Sequence, residues 1–149
     1  MQLKTDIKFE QFFDRAKVLN EVHKDNLRRL SRAAAFIRRR ARSSLKRRKK
    51  TSAPGKPPSV HSRDEHATLK KILFGLDSDG ESVVIGPVAL ASSRLKGSSA
   101  STVAELLEFG GTATVKRKRA TYATRSFMGP ALEAEVSSGS MADLWKSRG

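Results

Sequence analysis

The chain has no cysteine. That absence removes disulfide frameworks and thiolate metal sites, and nothing else argues for secretion, so synthesis in a cytoplasm is expected. Tryptophan and tyrosine occur once each, too few to build the stacking platforms of single-strand nucleic-acid binders. Long apolar runs are also missing: no segment approaches the ~20 residues that cross a bilayer. The opening MQLKTDIKFEQFF has no signal-peptide core. A soluble protein is therefore expected. Neither proline nor glycine occurs before Pro54, and acidic residues are outnumbered, 15 Asp and Glu against 30 Lys and Arg.

What is present fits one domain of 149 residues. The hydrophobic share of 38% beside 30% charged residues is low for a compact globule and too high for a wholly disordered chain. Part of the molecule should therefore be extended or dependent on partners, with partial disorder in the free monomer.

The net charge of +15 is concentrated. Between Lys24 and Lys50 lie thirteen Lys or Arg and one acid, Asp25. Such a block favours a polyanion, most obviously nucleic acid contacted through phosphate. Arg38, Arg39, Arg40, Arg42, Arg47 and Arg48 are the candidate contacts. The competing reading is a solvated helix face beside an acidic protein surface.

From Phe9 the apolar residues step by three or four through Phe13, Ala16, Leu19, Val22, Leu27, Leu30, Ala34, Ile37, Ala41 and Leu45, which predicts a helix. Thr5 or Asp6 would cap it, and KRRKK would form its last turn, where cations suit the dipole. About forty residues would span roughly 60 Å if straight, with a bend expected near His23 to Asn26. A domain this small cannot cover such a helix, so much of it should lie against another subunit. The expected organisation is a basic amphipathic helix over 1–50, a Pro/Gly-rich extended connection over 51–66, and a small α+β core over 67–149.

In that core, 70–76 and 82–86 read as strands joined by the turn residues Asp77 to Gly80. ASSRLKGSSAS reads as a loop, and TVAELLEF as a short helix ended by Gly110 and Gly111. TATVKRKRATYAT alternates as one or two strands with a basic turn at Lys116 to Arg119, closing on the same sheet. GPALEAEVSSGSMADLW begins a final helix with Pro130 in its first turn. The fold class is thus α+β: a long N-terminal helix followed by a small antiparallel sheet with short flanking helices.

Catalytic patterns are scarce. His23, His61 and His66 lack the spacing of a metal site. The serines form no nucleophile elbow, and the glycines form neither a Walker loop nor G-x-G-x-x-G. Glu105 and Glu108 are one helical turn apart, with nothing to split their pKa values for acid–base work. No enzyme, cofactor or metal is expected.

The order of pieces is more informative than any one of them. A long basic helix is followed by PGKPP (Pro54 to Pro58), SVVIGPV (strand Val83 to Pro87), LLEFGG (Glu108 to Gly111) and RSFMGPAL (Arg125 to Leu132). This order resembles the neck and tail-completion proteins of long-tailed bacteriophages and prophages, the minor tail protein Z-like class. The likeness covers most of the chain, and the EFGG and RSFMGPALE pair is its specific part. The sequence departs at Ser126, where the family often has proline.

The resemblance implies a virion protein assembled in the host cytoplasm. It would be a homo-oligomeric ring, on the order of six or twelve copies by analogy, touching portal, head-closure and tail-terminator or tail-tube proteins, with genomic DNA in the channel. It further implies that Glu108, Phe109, Gly110 and Gly111 end a helix tightly. Phe109 would pack beneath the final helix beside Phe127, and Arg125 would pair with Glu108. Ordinary core packing of Phe109 and Phe127 is the plainer alternative. A free-standing basic nucleic-acid-binding protein is the alternative function.

Overall fold

A computed structural model describes residues 14–61, 69–88, 103–115 and 118–146. The expected Thr5 or Asp6 cap, the serine-rich loop, His66 and the first two residues of the basic turn lie outside these residues. The architecture is α+β: a long helix, two small antiparallel hairpins and three short helices.

Helix α1 runs Arg15–Ser44, thirty residues rather than the forty expected. Its N-cap is Asp14, whose carboxylate accepts from the Lys17 backbone N–H at 3.1 Å, satisfying one of the donors a helix start leaves open. Helix continues without interruption through His23 to Asn26. In the second half Ala33, Ala34, Ile37 and Ala41 are buried, and Leu45 extends that seam by one more step of four.

KRRKK is not the last helical turn. The Ser43 and Ser44 hydroxyls donate to the Arg40 and Ala41 carbonyls, and the chain leaves the helix at Leu45 with ψ 88°. It then runs beside a later segment. The Val60 N–H donates to the Lys46 carbonyl at 3.1 Å, and Arg47 and Val60 form a parallel bridge. The described part of the Pro/Gly-rich connection is therefore packed onto the molecule, with Ser52 and Val60 buried.

Strands β1 (Ile72–Leu76) and β2 (Val83–Pro87) pair antiparallel, with Phe74 opposite Ile85. The hairpin rests on α1: at Gly80, with φ 69°, an added Cβ would lie 2.6 Å from the His23 ring and 2.9 Å from Leu27. Glycine answers both demands there, positive φ and close approach.

Helix α2 (Val103–Phe109) is followed directly by β3 (Gly111–Val115) and β4 (Lys118–Tyr122). This second hairpin does not join the first, so the described strands form two two-stranded sheets and not one. The expected final helix is also divided, into α3 (Met128–Ser137) and α4 (Ser140–Trp145). The break is at Gly139, whose φ of 76° is the left-handed turn that ends helices. The main core gathers Ile37, Ala41 and Leu45 from α1 and its end with Val60, Ile72, Phe127 and Ala131, so α1, α3 and the first hairpin share one interior.

Candidate functional site: a glutamate clamp and an arginine face

The two parts of the EFGG and RSFMGPALE pair meet through Glu108. Its carboxylate accepts three backbone N–H groups at the start of α3: Phe127 at 2.9 Å, Met128 at 3.1 Å and Gly129 at 2.7 Å. The next residue, Pro130, has no N–H to satisfy. One side chain from another helix thus closes the open donors of the first turn of α3, and its charge lies at the positive end of the dipole. Around it, Ser126 Oγ donates to the Glu108 carbonyl at 2.9 Å, and the Arg125 N–H donates to the Leu107 carbonyl.

The expected roles change in two respects. Phe109 is 80% exposed, not packed under the final helix; Leu106 is the buried residue of α2. Phe109 is the last residue of α2, where the chain turns off through Gly110, whereas Leu106 lies a turn earlier and covers Gly111, 3.1 Å from where a Cβ would stand. Arg125 does not pair with Glu108: its Nε donates to the Ser52 carbonyl at 3.0 Å, while the Glu108 oxygens are occupied by backbone donors. Phe127 is buried as expected, at 1% exposure.

Gly110 and Gly111 do end α2. The Gly110 N–H donates to the Leu106 carbonyl at 2.9 Å, and a Cβ on Gly110, at φ 76°, would meet Thr124 Oγ1 at 2.9 Å. The Pro/Gly-rich segment joins the same unit, since the Gly55 N–H donates to the Thr124 carbonyl at 2.9 Å.

The six candidate arginines separate into different settings. Arg40 is held internally: its Nε donates to Glu135 Oε1 at 2.6 Å. The other Glu135 oxygen accepts from Ser140 Oγ at 2.6 Å. Those bonds, Ser140's first and Arg40's second, hold the Glu135 carboxyl below its ordinary value of 4.5 against the opposing effect of desolvation. Arg47 and Arg48 are exposed beyond the end of α1.

Arg38, Arg39 and Arg42 stay together on α1. With Ala35 they line a concavity of about 280 Å³. The Arg39 guanidinium lies over the Phe36 ring, 5.5 Å from its centre, a stacking that orients the fork. Arg38 Nε is shut away from solvent with no hydrogen-bond partner among the described residues.

Elsewhere on the surface, the first third of α1 exposes Val18, Leu19 and Val22. Leu19 and Val22 line a concavity of about 650 Å³ shared with Trp145 of α4 and Glu81 of the first hairpin. Among the described residues no three His, Asp or Glu gather closely enough to hold a metal ion, and no helix is long and apolar enough to cross a membrane. Compared with protein-family models, curated proteins and solved structures, the chain matches none.

Proposed function

We propose that the chain is a non-enzymatic structural subunit of a tailed-bacteriophage neck, a ring component joining the portal and head-closure complex to the tail. The observation that carries this reading is the Glu108 clamp. The two sequence pieces on which the resemblance chiefly rests are bonded to each other through Glu108, and the Pro/Gly-rich piece is tied to the same unit through Gly55 and Arg125. Pieces that are separate motifs in sequence act as one structural device, as a fold signature would. The exposed apolar residues on α1 supply the second element a ring subunit needs, a surface left over after the monomer has closed.

The test is the solution mass of the purified full chain by light scattering over a concentration series, with negative-stain microscopy of the same samples. A single closed stoichiometry with annular particles is expected. A chain that stays monomeric up to its solubility limit and binds duplex DNA tightly, with affinity collapsing as salt rises, overturns the reading. In that case a free-standing nucleic-acid-binding protein, favoured by the arginine face, takes its place.

A further inference from the structure

We propose that the outward face of α1 is a binding site for the phosphodiester backbone of nucleic acid, centred on Arg38, Arg39 and Arg42. The proposal deepens the neck reading by naming the polyanion, and rests on that reading only for where the nucleic acid would come from.

The helix sorts its cations. Lys17, Lys24, Arg28, Arg32, Arg39 and Arg42 are separated by steps of seven, four, four, seven and three, so they share one face of α1. The buried seam of Ala33, Ala34, Ile37 and Ala41 occupies the opposite face. All six cations are exposed, and from Lys17 to Arg42 the row extends about 37 Å at ~1.5 Å per residue.

Arginines near this row that meet a carboxylate are set aside from it: Arg29 is bonded to Asp25 and Arg40 to Glu135. From Asn26 to Lys50 the sequence contains no acid. Arg38, Arg39 and Arg42 form no ion pair with a carboxylate among the described residues, and of the three Arg39 acts on Glu135 at longer range. Glu21 and Asp25 are the acids on or beside the row, both in its N-terminal half, which places the strongest field at the other end.

Three arginines lining one small concavity suit a phosphate better than a lone carboxylate. A phosphodiester link presents several oxygens to planar forks, and its neighbours along the strand would meet further cations of the row. The buried Arg38 Nε is a donor the monomer leaves open, although a buried polar group without a partner is destabilising. No base reading is implied, because contacts to the backbone position a protein without specifying sequence.

The experiment measures binding of the full chain to a labelled mixed-sequence DNA duplex across a salt series. It compares Arg38→Gln/Arg39→Gln/Arg42→Gln with a charge-matched control, Lys46→Gln/Arg47→Gln/Arg48→Gln. Salt-dependent binding is expected in the unaltered chain, with the first triple weaker by more than about tenfold and its log–log salt slope smaller by about 2–3. The control should lose less than about threefold. An Arg→Lys triple at 38, 39 and 42 keeps the charge, and should bind between these limits if the forks matter.

Equal losses in the two Gln triples, or no binding by the unaltered chain, overturn the proposal. So does displacement by polyglutamate as effective as displacement by unlabelled duplex, which would assign the face to an acidic protein. The solution mass, measured on the same samples, keeps the two ideas apart. A ring that ignores DNA retains the neck reading alone, and a monomer that binds through these arginines retains this site alone.

Discussion

Glu108 shows how much one side chain can decide. Its carboxylate takes three N–H groups at the start of α3, so Glu108→Ala should leave that helix uncapped. A loss of about 2 kcal/mol is expected, at the upper end for an N-cap because the acceptor is charged, measured as a shift of the urea midpoint. The two aromatic residues of the motif pair should behave oppositely. Phe127→Ala removes a side chain only 1% exposed from the main core and should cost about 3–5 kcal/mol. Phe109→Ala removes one that is 80% exposed and should stay within ~0.5 kcal/mol. The sequence marked both phenylalanines, but it does not say which residue of α2 turns inward. That depends on where a short helix begins, and Glu108 fixes its rotation by reaching across to α3.

At the level of elements, the junction of α1, α3 and α4 depends on Glu135. In the folded chain this carboxyl is held below its ordinary 4.5, first by Ser140 and then by Arg40. The unfolded chain therefore takes up a proton here more readily than the folded one. The stability this group contributes is fully present above its ordinary value and is lost as pH falls through the lower folded-state value. Glu135→Gln should be less stable than the unaltered chain at pH 7, by about 1 kcal/mol given that Arg40 is half exposed. The gap should narrow as pH falls below the ordinary 4.5, which urea unfolding at pH 7 and at successively lower pH measures.

Both hairpins, α2 and the capping glycines were legible because their signals are local: alternation, turn residues and a glycine after an apolar helix. The end of α1 was not. Nothing between Leu45 and Lys50 forbids helix, and the chain leaves it because Leu45 is buried and Val60, from the far side of the Pro/Gly-rich connection, pairs alongside Arg47. The separation of the two sheets was hidden for the same reason, since which strands meet is settled by packing rather than by each strand's own pattern. The Arg40 to Glu135 pair spans ninety-five positions, and no spacing rule joins residues that far apart.

At the scale of the whole molecule, the uneven cover of α1 is the property that calls for a partner. Its second half is seated in the core, while Val18, Leu19 and Val22 in its first third are 39%, 57% and 60% exposed. One end of a helix held by packing propagates helix toward the other, but isolated turns are marginal in water, so an apolar stripe there gains most when a neighbouring surface covers it. Leu19→Gln together with Val22→Gln should therefore leave monomer stability nearly unchanged, within ~0.5 kcal/mol, because little burial is lost. The same pair should move the solution mass toward monomer at concentrations where the unaltered chain associates. Light scattering and urea unfolding on one preparation separate the two effects. Unchanged association would place the subunit contact elsewhere, and a large loss of monomer stability would mean that these residues already serve the monomer's own interior.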